Sequence, residues 1–360
     1  MKYTAQKGLI GTEAKPLCYL CDSYGKILYR NCKDRLFGTP GYWTLKQCPN
    51  PECGLVWLDP MPTRKEISKA YKNYYTHHGV GEGVSKKNKS IFKQFIKTFR
   101  LTQENGYYAL EYKAMNQVSV LEKLMGLLVY LQPAVKTKYD FKAMYLQTRP
   151  GARLLEIGCG SGDQLEFLQE LGWRVEGLDV DPVAAEVASA RGLKVHVGSL
   201  ETQCFAAEQF DAIVSSHVIE HVHDPIGLLR ECRRILSPGG RLVLITPNTT
   251  SWLHKWFGAN WLALDSPRHL HLFNSISLRR AVEDSGLSVR ILTSTVREAD
   301  GVYRASRDIR DSGHHVWGCR HSWAVRRWSR FLQLFEWLLL QLGVNRGEEL
   351  IAICEPNRKA

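Results

Sequence analysis

The stretch LLEIGCGSGDQLEFL, residues 154–168, runs an apolar segment into three glycines spaced by two, Gly158, Gly160 and Gly162, and then into an amphipathic helical pattern. A strand that turns into a helix N-terminus through glycines brings backbone close to a ligand, because no Cβ intervenes. Such a turn suits a nucleotide or something nucleoside-like. A dinucleotide fingerprint, G-x-G-x-x-G, needs a third glycine where helix and strand pack. Here that position is Asp163, and Glu156 precedes the first glycine by two. Carboxylates beside the turn oppose a pyrophosphate and suit a ligand that carries a cationic centre, an ammonium group and ribose hydroxyls.

The neighbouring stretch WRVEGLDVDP, residues 173–182, is an apolar-rich run that ends in Asp179 and precedes the helical pattern VAAEVASA. An acid at the carboxyl end of this second strand can accept both ribose hydroxyls. Asp181 stands directly before Pro182, which reads as N-cap and first residue of the following helix. Asp179 is therefore the binding acid and Asp181 the cap. S-adenosylmethionine has the cation, the ammonium and the ribose that this arrangement expects.

With these two stretches, FDAIVSSHVIEHVHDPIGLLRECRRILSPGGRLVLITPN at 210–248 completes an ordered set of motifs. The set resembles the class I S-adenosylmethionine-dependent methyltransferases, and among them the bacterial group with an H-x-x-E-H signature. The likeness covers roughly residues 145–295. It implies an α/β fold with a seven-stranded, mostly parallel Rossmann-like sheet covered by helices on both faces, the last strand (ELIAICE) running antiparallel. It also implies a donor site of Glu156, Gly158, Gly160, Gly162 and Asp179, with Ser199 and Leu200 lining the adenine pocket and His217 on the cofactor side. Alternation of strand and helix patterns supports the architecture independently: strands are expected at 153–157, 174–179, 193–197, 210–215, 240–246, 288–294 and 349–354.

The methyl group of a sulfonium is intrinsically electrophilic, so the protein's task is to align a nucleophile and exclude water. A base is required only when that nucleophile carries a proton. His221, in the loop after the fourth strand, is the expected base, set against a reading in which Glu220 and His221 only brace the loop. His269 and Arg268, in a P-x-H-L-x-x-F segment that resembles the same group, are expected on the substrate side, and His271 is expected to be structural. His217, His221 and His269 are thus the catalytic candidates. The absence of an Asn-Pro-Pro-aromatic sequence argues against amino-methylation of adenine or cytosine.

Upstream, Cys18 and Cys21 form a C-x2-C pair, and Cys48 and Cys53 a C-x4-C pair 26 residues further on. Two such turns facing each other would place four thiolates around a structural zinc. Four buried free thiols are the alternative reading, and Cys32 is read as a packed thiol. The segment resembles the zinc-binding module ahead of some bacterial methyltransferases, including sugar C-methyltransferases, although the long C-terminal domain of those sugar enzymes is missing. The expected organisation is a small zinc-ribbon-like module over 1–78, a helical linker or lid over 79–144, and a methyltransferase domain over 145–360 with insertions at 250–275 and 295–347. His77 and His78 are read as surface residues.

The chain has 360 residues, ten cysteines and a net charge of +12. Scattered cysteines in a chain of this length exclude a secreted disulfide scaffold, and no run of 18 apolar residues marks a membrane span. Residues 151–250 hold 14 carboxylates against 8 Lys and Arg, while the segments around them are basic. That contrast attracts an anionic partner. The expectation is a cytoplasmic enzyme, peripheral at the inner face of the membrane, that methylates a small-molecule acceptor such as an envelope glycan, nucleotide-sugar or lipid intermediate. A ribosomal-RNA methyltransferase with a zinc ribbon, or a non-catalytic S-adenosylmethionine-binding scaffold, are the alternatives. Nucleic acid is the weaker partner because the ribbon lacks a run of basic and aromatic residues for stacking bases. The oligomeric state is left open.

Overall fold

The computed structural model describes residues 10–72, 91–114 and 118–357, except the side chains of residues 91–96. His77, His78 and the lysines at 86, 87 and 89 lie outside the described residues. Two compact units emerge: one of residues 1–74, 215–234 and 244–360, the other of 75–214 and 235–243.

Thirteen strands are described. They are β1 (Thr12–Glu13), β2 (Lys26–Cys32), β3 (Trp43–Gln47), β4 (Val56–Leu58), β5 (Met61–Pro62), β6 (Arg153–Ile157), β7 (Arg174–Asp179), β8 (Val195–Val197), β9 (Phe210–Ser216), β10 (Leu236–Pro247), β11 (His271–Leu272), β12 (Leu287–Thr295) and β13 (Glu349–Pro356). Seven form the main sheet, in the order β12-β13-β10-β9-β6-β7-β8. Strands β6, β7 and β8 pair in parallel, and β13 runs antiparallel to β12, as the resemblance implied. All seven expected strands are present. The third is shorter than expected, because the Leu193 amide still closes the preceding helix on the Ala188 carbonyl.

The buried strands read as apolar runs because both faces are covered, which leaves no place for polar alternation. Behind the glycine turn, Cys159, Leu165, Ala188 and Leu193 pack into one cluster with Val175 and Val195. That cluster seats α4 (Asp163–Glu170) and α5 (Pro182–Ala190) against β7 and β8; α1 (Ile91–Glu111), α2 (Val120–Leu127) and α3 (Pro133–Lys142) come before them. Helices α1 and α2 cross closely at glycines: a Cβ on Gly106 would fall 1.7 Å from the Glu122 carbonyl oxygen.

The N-terminal cysteine segment builds a second sheet, in the order β11-β4-β3-β2. Its edge strand β11 comes from the 250–275 segment, pairing antiparallel with β4 through His271 and Leu272. The remaining helices are α6 (Pro225–Ile235), α7 (Trp252–Phe257), α8 (Ser275–Asp284), α9 (Ala299–Ser312) and α10 (Trp323–Gln341). None of the described helices is long and apolar enough to cross a membrane.

Candidate functional site

In the unit that carries β6 and β7, the glycine turn is tied to the second strand twice. The amides of Gly158 and Cys159 both donate to the Leu178 carbonyl, at 2.7 and 3.2 Å. The Gly160 amide donates to Asp179 Oδ2 at 2.7 Å, and the Asp181 amide to Asp179 Oδ1 at 2.9 Å. Asp179 thereby holds the turn and still keeps carboxylate lone pairs for a ligand. Gly160 sits at φ +52°, and a Cβ there would meet nothing within 4 Å, so open space faces the turn. Gly162 differs: at φ +85°, a Cβ would fall 2.5 Å from Leu193 Cδ1 and 3.0 Å from Ala188 Cβ, so this glycine lets the turn pack closely on the end of α5. Asp181 Oδ1 accepts from the Val183 amide at 3.0 Å and caps α5, the division of labour expected for the two aspartates. Asp163 is engaged by Arg191 at 2.5 Å, which also donates to the Ser161 carbonyl at 2.8 Å.

Glu156 is 5 % exposed, and its Oε2 has no hydrogen-bond partner among the described residues. Burial, and next the Asp179 charge, push its carboxyl up to about 8. A buried carboxyl left unpaired costs free energy unless a ligand completes it. An ammonium or ribose hydroxyl supplies the missing donor. The Gly198 amide donates to the Asp179 carbonyl at 2.8 Å, which sets the following residues, Ser199 and buried Leu200, just past the carboxyl ends of β7 and β8. Glu156, Gly158, Gly160, Gly162, Asp179, Ser199 and Leu200 thus fall at one edge of this unit. The open turn and the orphaned acid fit the adenosyl donor.

The other unit brings together His217, Glu220, His221 and His269. His217 follows β9 with φ +54°. Its Nδ1 lies 3.1 Å from Glu220 Oε1, and its Nε2 lies 2.8 Å from Glu349 Oε1. Burial disfavours the charged ring, but the two carboxylates outweigh it and lift its pKa to about 10. The two carboxylates thus favour the charged form of His217. Glu220, fully buried, also accepts from Thr246 Oγ1 at 2.9 Å; despite burial, His217 holds its carboxyl at about 2. Arg297 completes the chain with a bond to Glu349 at 2.7 Å.

His221 Nδ1 lies 3.1 Å from the Arg268 carbonyl and 3.0 Å from Tyr71 Oη. Burial, and next the His269 ring, lower its pKa to about 4. The two imidazoles meet edge to face, with centroids 4.6 Å apart. His269 Nδ1 donates to the Ala263 carbonyl at 2.7 Å. That tautomer leaves Nε2 as an acceptor, 3.9 Å from the nearest Asp265 oxygen. His217, His269, Arg297 and Glu349 line a cavity of about 490 Å³, whose lining does not include His221.

Arg268 departs from expectation. It is fully buried, bonded to Asp34 at 2.7 and 2.9 Å and to Asp265 at 3.0 Å, and does not face a substrate. Its five N–H donors suit a carboxylate pair inside the fold better than a solvent-facing role. His271 is buried in β11, as expected of a structural residue. Glu349, Arg297 and Tyr71 were not foreseen, because Glu349 pairs with His217 and Arg297, and Tyr71 with His221, across 52 to 150 positions; Asp265, which pairs with nearby Arg268, was not foreseen either.

The four N-terminal thiols also converge. All four sulfurs lie within 4.8 Å of one another, with Cys18 and Cys53 at 3.6 Å and Cys21 and Cys48 at 3.3 Å. Tetrahedral zinc–thiolate geometry requires sulfur separations of about 3.8 Å. The four thiols therefore fit a zinc ion. Cys32 is buried apart from them, a packed thiol.

Residues 131–291 match a family model described as a methyltransferase domain. That match covers 161 of the chain's 360 residues. Among similar curated proteins, a ubiquinone biosynthesis O-methyltransferase of Xanthomonas oryzae is 39% identical over 132 residues, 34% of this chain and 54% of that protein. A protein of the same name from Cereibacter sphaeroides is 29% identical over 204 residues, 47% of this chain and 83% of its own. The chain thus spans about half the length of the Xanthomonas relatives it matches. A solved S-adenosylmethionine-dependent methyltransferase of Mesorhizobium loti aligns over 60% of this chain and 96% of its own, at 18% identity and a TM-score of 0.42. The methyltransferase segment takes in the glycine turn, Asp179, His217, His221 and His269. The cysteine segment and residues 292–360 lie outside it.

Proposed function

We propose that the protein transfers a methyl group from S-adenosylmethionine to a small-molecule acceptor held in the cavity lined by His217, His269 and Glu349. The observation that carries this reading is the orphaned, buried Glu156 beside the Asp179-tethered glycine turn, inside the matched methyltransferase segment. Bound there, the donor supplies an electrophilic methyl group. Glu156, in its ionised form, takes the ammonium, and Asp179 takes the ribose hydroxyls while keeping Gly160 in place.

In the acceptor cavity, the fixed imidazolium of His217 presents positive charge. It favours an acceptor whose oxygen becomes anionic as its proton leaves. His269 is the base: its Nδ1–H is committed to Ala263, and its Nε2 lone pair is free to take a hydroxyl proton. His221, tethered by Arg268 and Tyr71, positions His269 through the edge-to-face ring contact. The acceptor is an envelope glycan, nucleotide-sugar or lipid intermediate with a methylatable hydroxyl. The O-methyltransferase names of the relatives support that chemistry. Helix α10 exposes Trp323, Trp328, Phe331, Leu334, Phe335 and Leu338, which supports a cytoplasmic enzyme meeting its acceptor at the membrane surface. The four cysteines hold a structural zinc, which adds to the buried Trp43, Leu45, Val56, Trp57 and Leu58 of the same segment.

The test is methyl transfer from labelled donor into a cell extract split into polar, lipid and nucleic-acid fractions. Label is expected in the lipid or polar fraction, and label confined to RNA would overturn the reading.

A further inference from the structure

The loop between α9 and α10 carries a second cluster of metal-ligating side chains. Asp308 lies near the end of α9, which Gly313 ends in the left-handed conformation, at φ +83°. The chain then folds back so that His315, Cys319 and His321 gather over the Asp308 carboxylate. The loop is anchored at its start by Arg35, whose guanidinium donates to the Gly313 carbonyl at 2.9 Å and whose carbonyl accepts from the His315 amide at 2.9 Å. At its far end, Ser322 caps α10.

The ligand-type atoms of Asp308, Cys319 and His321 all lie within 4.8 Å of one another. Cys319 Sγ stands 3.6 Å from His321 Nε2 and 3.5 Å from Asp308 Oδ2, while His321 Nε2 stands 3.0 and 3.1 Å from the two Asp308 oxygens. Tetrahedral zinc with ordinary bond lengths sets these separations at about 3.6 Å for S···N, about 3.5 Å for S···O and about 3.3 Å for N···O. The first two agree with the observed distances. The third is short by the contraction expected when His321 donates a hydrogen bond to the carboxylate in place of sharing a metal with it. His315 Nδ1 lies 2.8 Å from Asp308 Oδ2, the outer contact that orients a ligating carboxylate.

We propose that Asp308, Cys319 and His321 bind a zinc-class divalent ion through one oxygen, one sulfur and one nitrogen, leaving its fourth position open. A thiolate and a carboxylate together cancel the ion's charge, which makes the site compatible with Arg320, Arg326 and Arg330 around the adjoining cavity of about 470 Å³. Cys319 and His321 also line the cavity that holds His217 and His269. If the proposed function holds, the open position is where an acceptor oxygen would bind.

The experiment is metal analysis of the full-length, zinc-loaded protein, comparing wild type with the Cys319→Ser/His321→Gln double variant. Cys319 is exposed, so the variant is expected to retain the wild-type circular dichroism. One equivalent of zinc fewer in the variant is the expected result. Equal metal content in the two proteins would overturn the site. Asp308→Asn is the second variant, with the same expected loss and the same contradiction. Cobalt substitution adds a spectroscopic reading: the variant loses a thiolate-to-cobalt band if Cys319 is a ligand, and an unchanged spectrum contradicts the assignment. None of these readouts needs donor or acceptor, so an inactive protein that still loses one equivalent keeps this metal site while ending the methyltransferase reading.

Discussion

Two buried glutamates, each close to a glycine turn or loop that follows a strand of the main sheet, show how differently the fold treats its acids. Glu156 is buried with one oxygen unpartnered among the described residues, and its carboxyl is pushed up to about 8. Glu220 is buried with both oxygens bonded, to His217 and Thr246, and is held at about 2. The first arrangement is incomplete without a ligand. The second is already complete and works as a brace. Burial alone therefore does not mark a binding acid; in Glu156 unfilled hydrogen-bond capacity coincides with a place beside the glycine turn, whereas Glu336, whose Oε2 is likewise unpartnered among the described residues, sits on α10.

Removing the brace should produce the largest effect. Glu220→Ala leaves the His217 cation with one carboxylate partner fewer, and breaking such a buried pair costs about 3–5 kcal/mol. Denaturant unfolding checks this, and a loss below about 1 kcal/mol would erase the contrast between the two acids. Next, His269→Gln should lower kcat by about 10²–10⁴-fold with donor affinity unchanged, as expected for loss of a general base. His217→Gln should act differently, lowering stability as well, because Glu220 and Glu349 then lose a shared cation.

Asp179→Ala should weaken donor binding by about 1.5–3 kcal/mol, since charge-assisted hydrogen bonds and the Gly160 tether both disappear. Calorimetric titration measures it directly. A pH-dependent slope separates the two acids further. Glu156 has a folded pKa raised above its unfolded value, so between about pH 4.5 and 8 the folded state holds more protons, and stability falls as pH rises through that window. Glu220 works in the opposite direction: its folded pKa is depressed, and its contribution is lost as pH falls from about 4.5 towards 2. Glu156→Gln should remove only the first slope, and wild-type and variant curves that run parallel from pH 4.5 to 8 would reject the raised carboxyl.

How much of this was legible in the sequence follows the range of the interactions. The seven strands were readable because most are local apolar runs, several of them closed by glycine, proline or an acid, as at Gly158, Asp179 and Pro247. The glycine turn was readable because its chemistry lies within seven residues. The brace was legible only at its local end, where the alternative reading had Glu220 bracing its loop: His217 meets Glu349 across 132 positions, and Arg268 meets Asp34 across 234. No periodicity marks such pairs. Arg268 was misread for this reason, since an arginine in a polar motif gives no local sign that two distant carboxylates will bury it. The 250–275 segment was read as an insertion, whereas its β11 closes the edge of the cysteine-bearing sheet, a pairing of two residues too short to carry a strand pattern. His315, Cys319 and His321 were not singled out in the sequence, because only the fold-back at Gly313 brings them to Asp308.

The most direct test is calorimetric titration of the full-length protein with S-adenosylmethionine, near pH 8, for wild type, Asp179→Ala and Glu156→Gln. One equivalent bound by wild type, with weaker binding in both variants, is the predicted outcome. Undetectable binding to a folded wild-type chain, or affinity that neither substitution alters, would contradict the assignment of the turn as the donor's cradle.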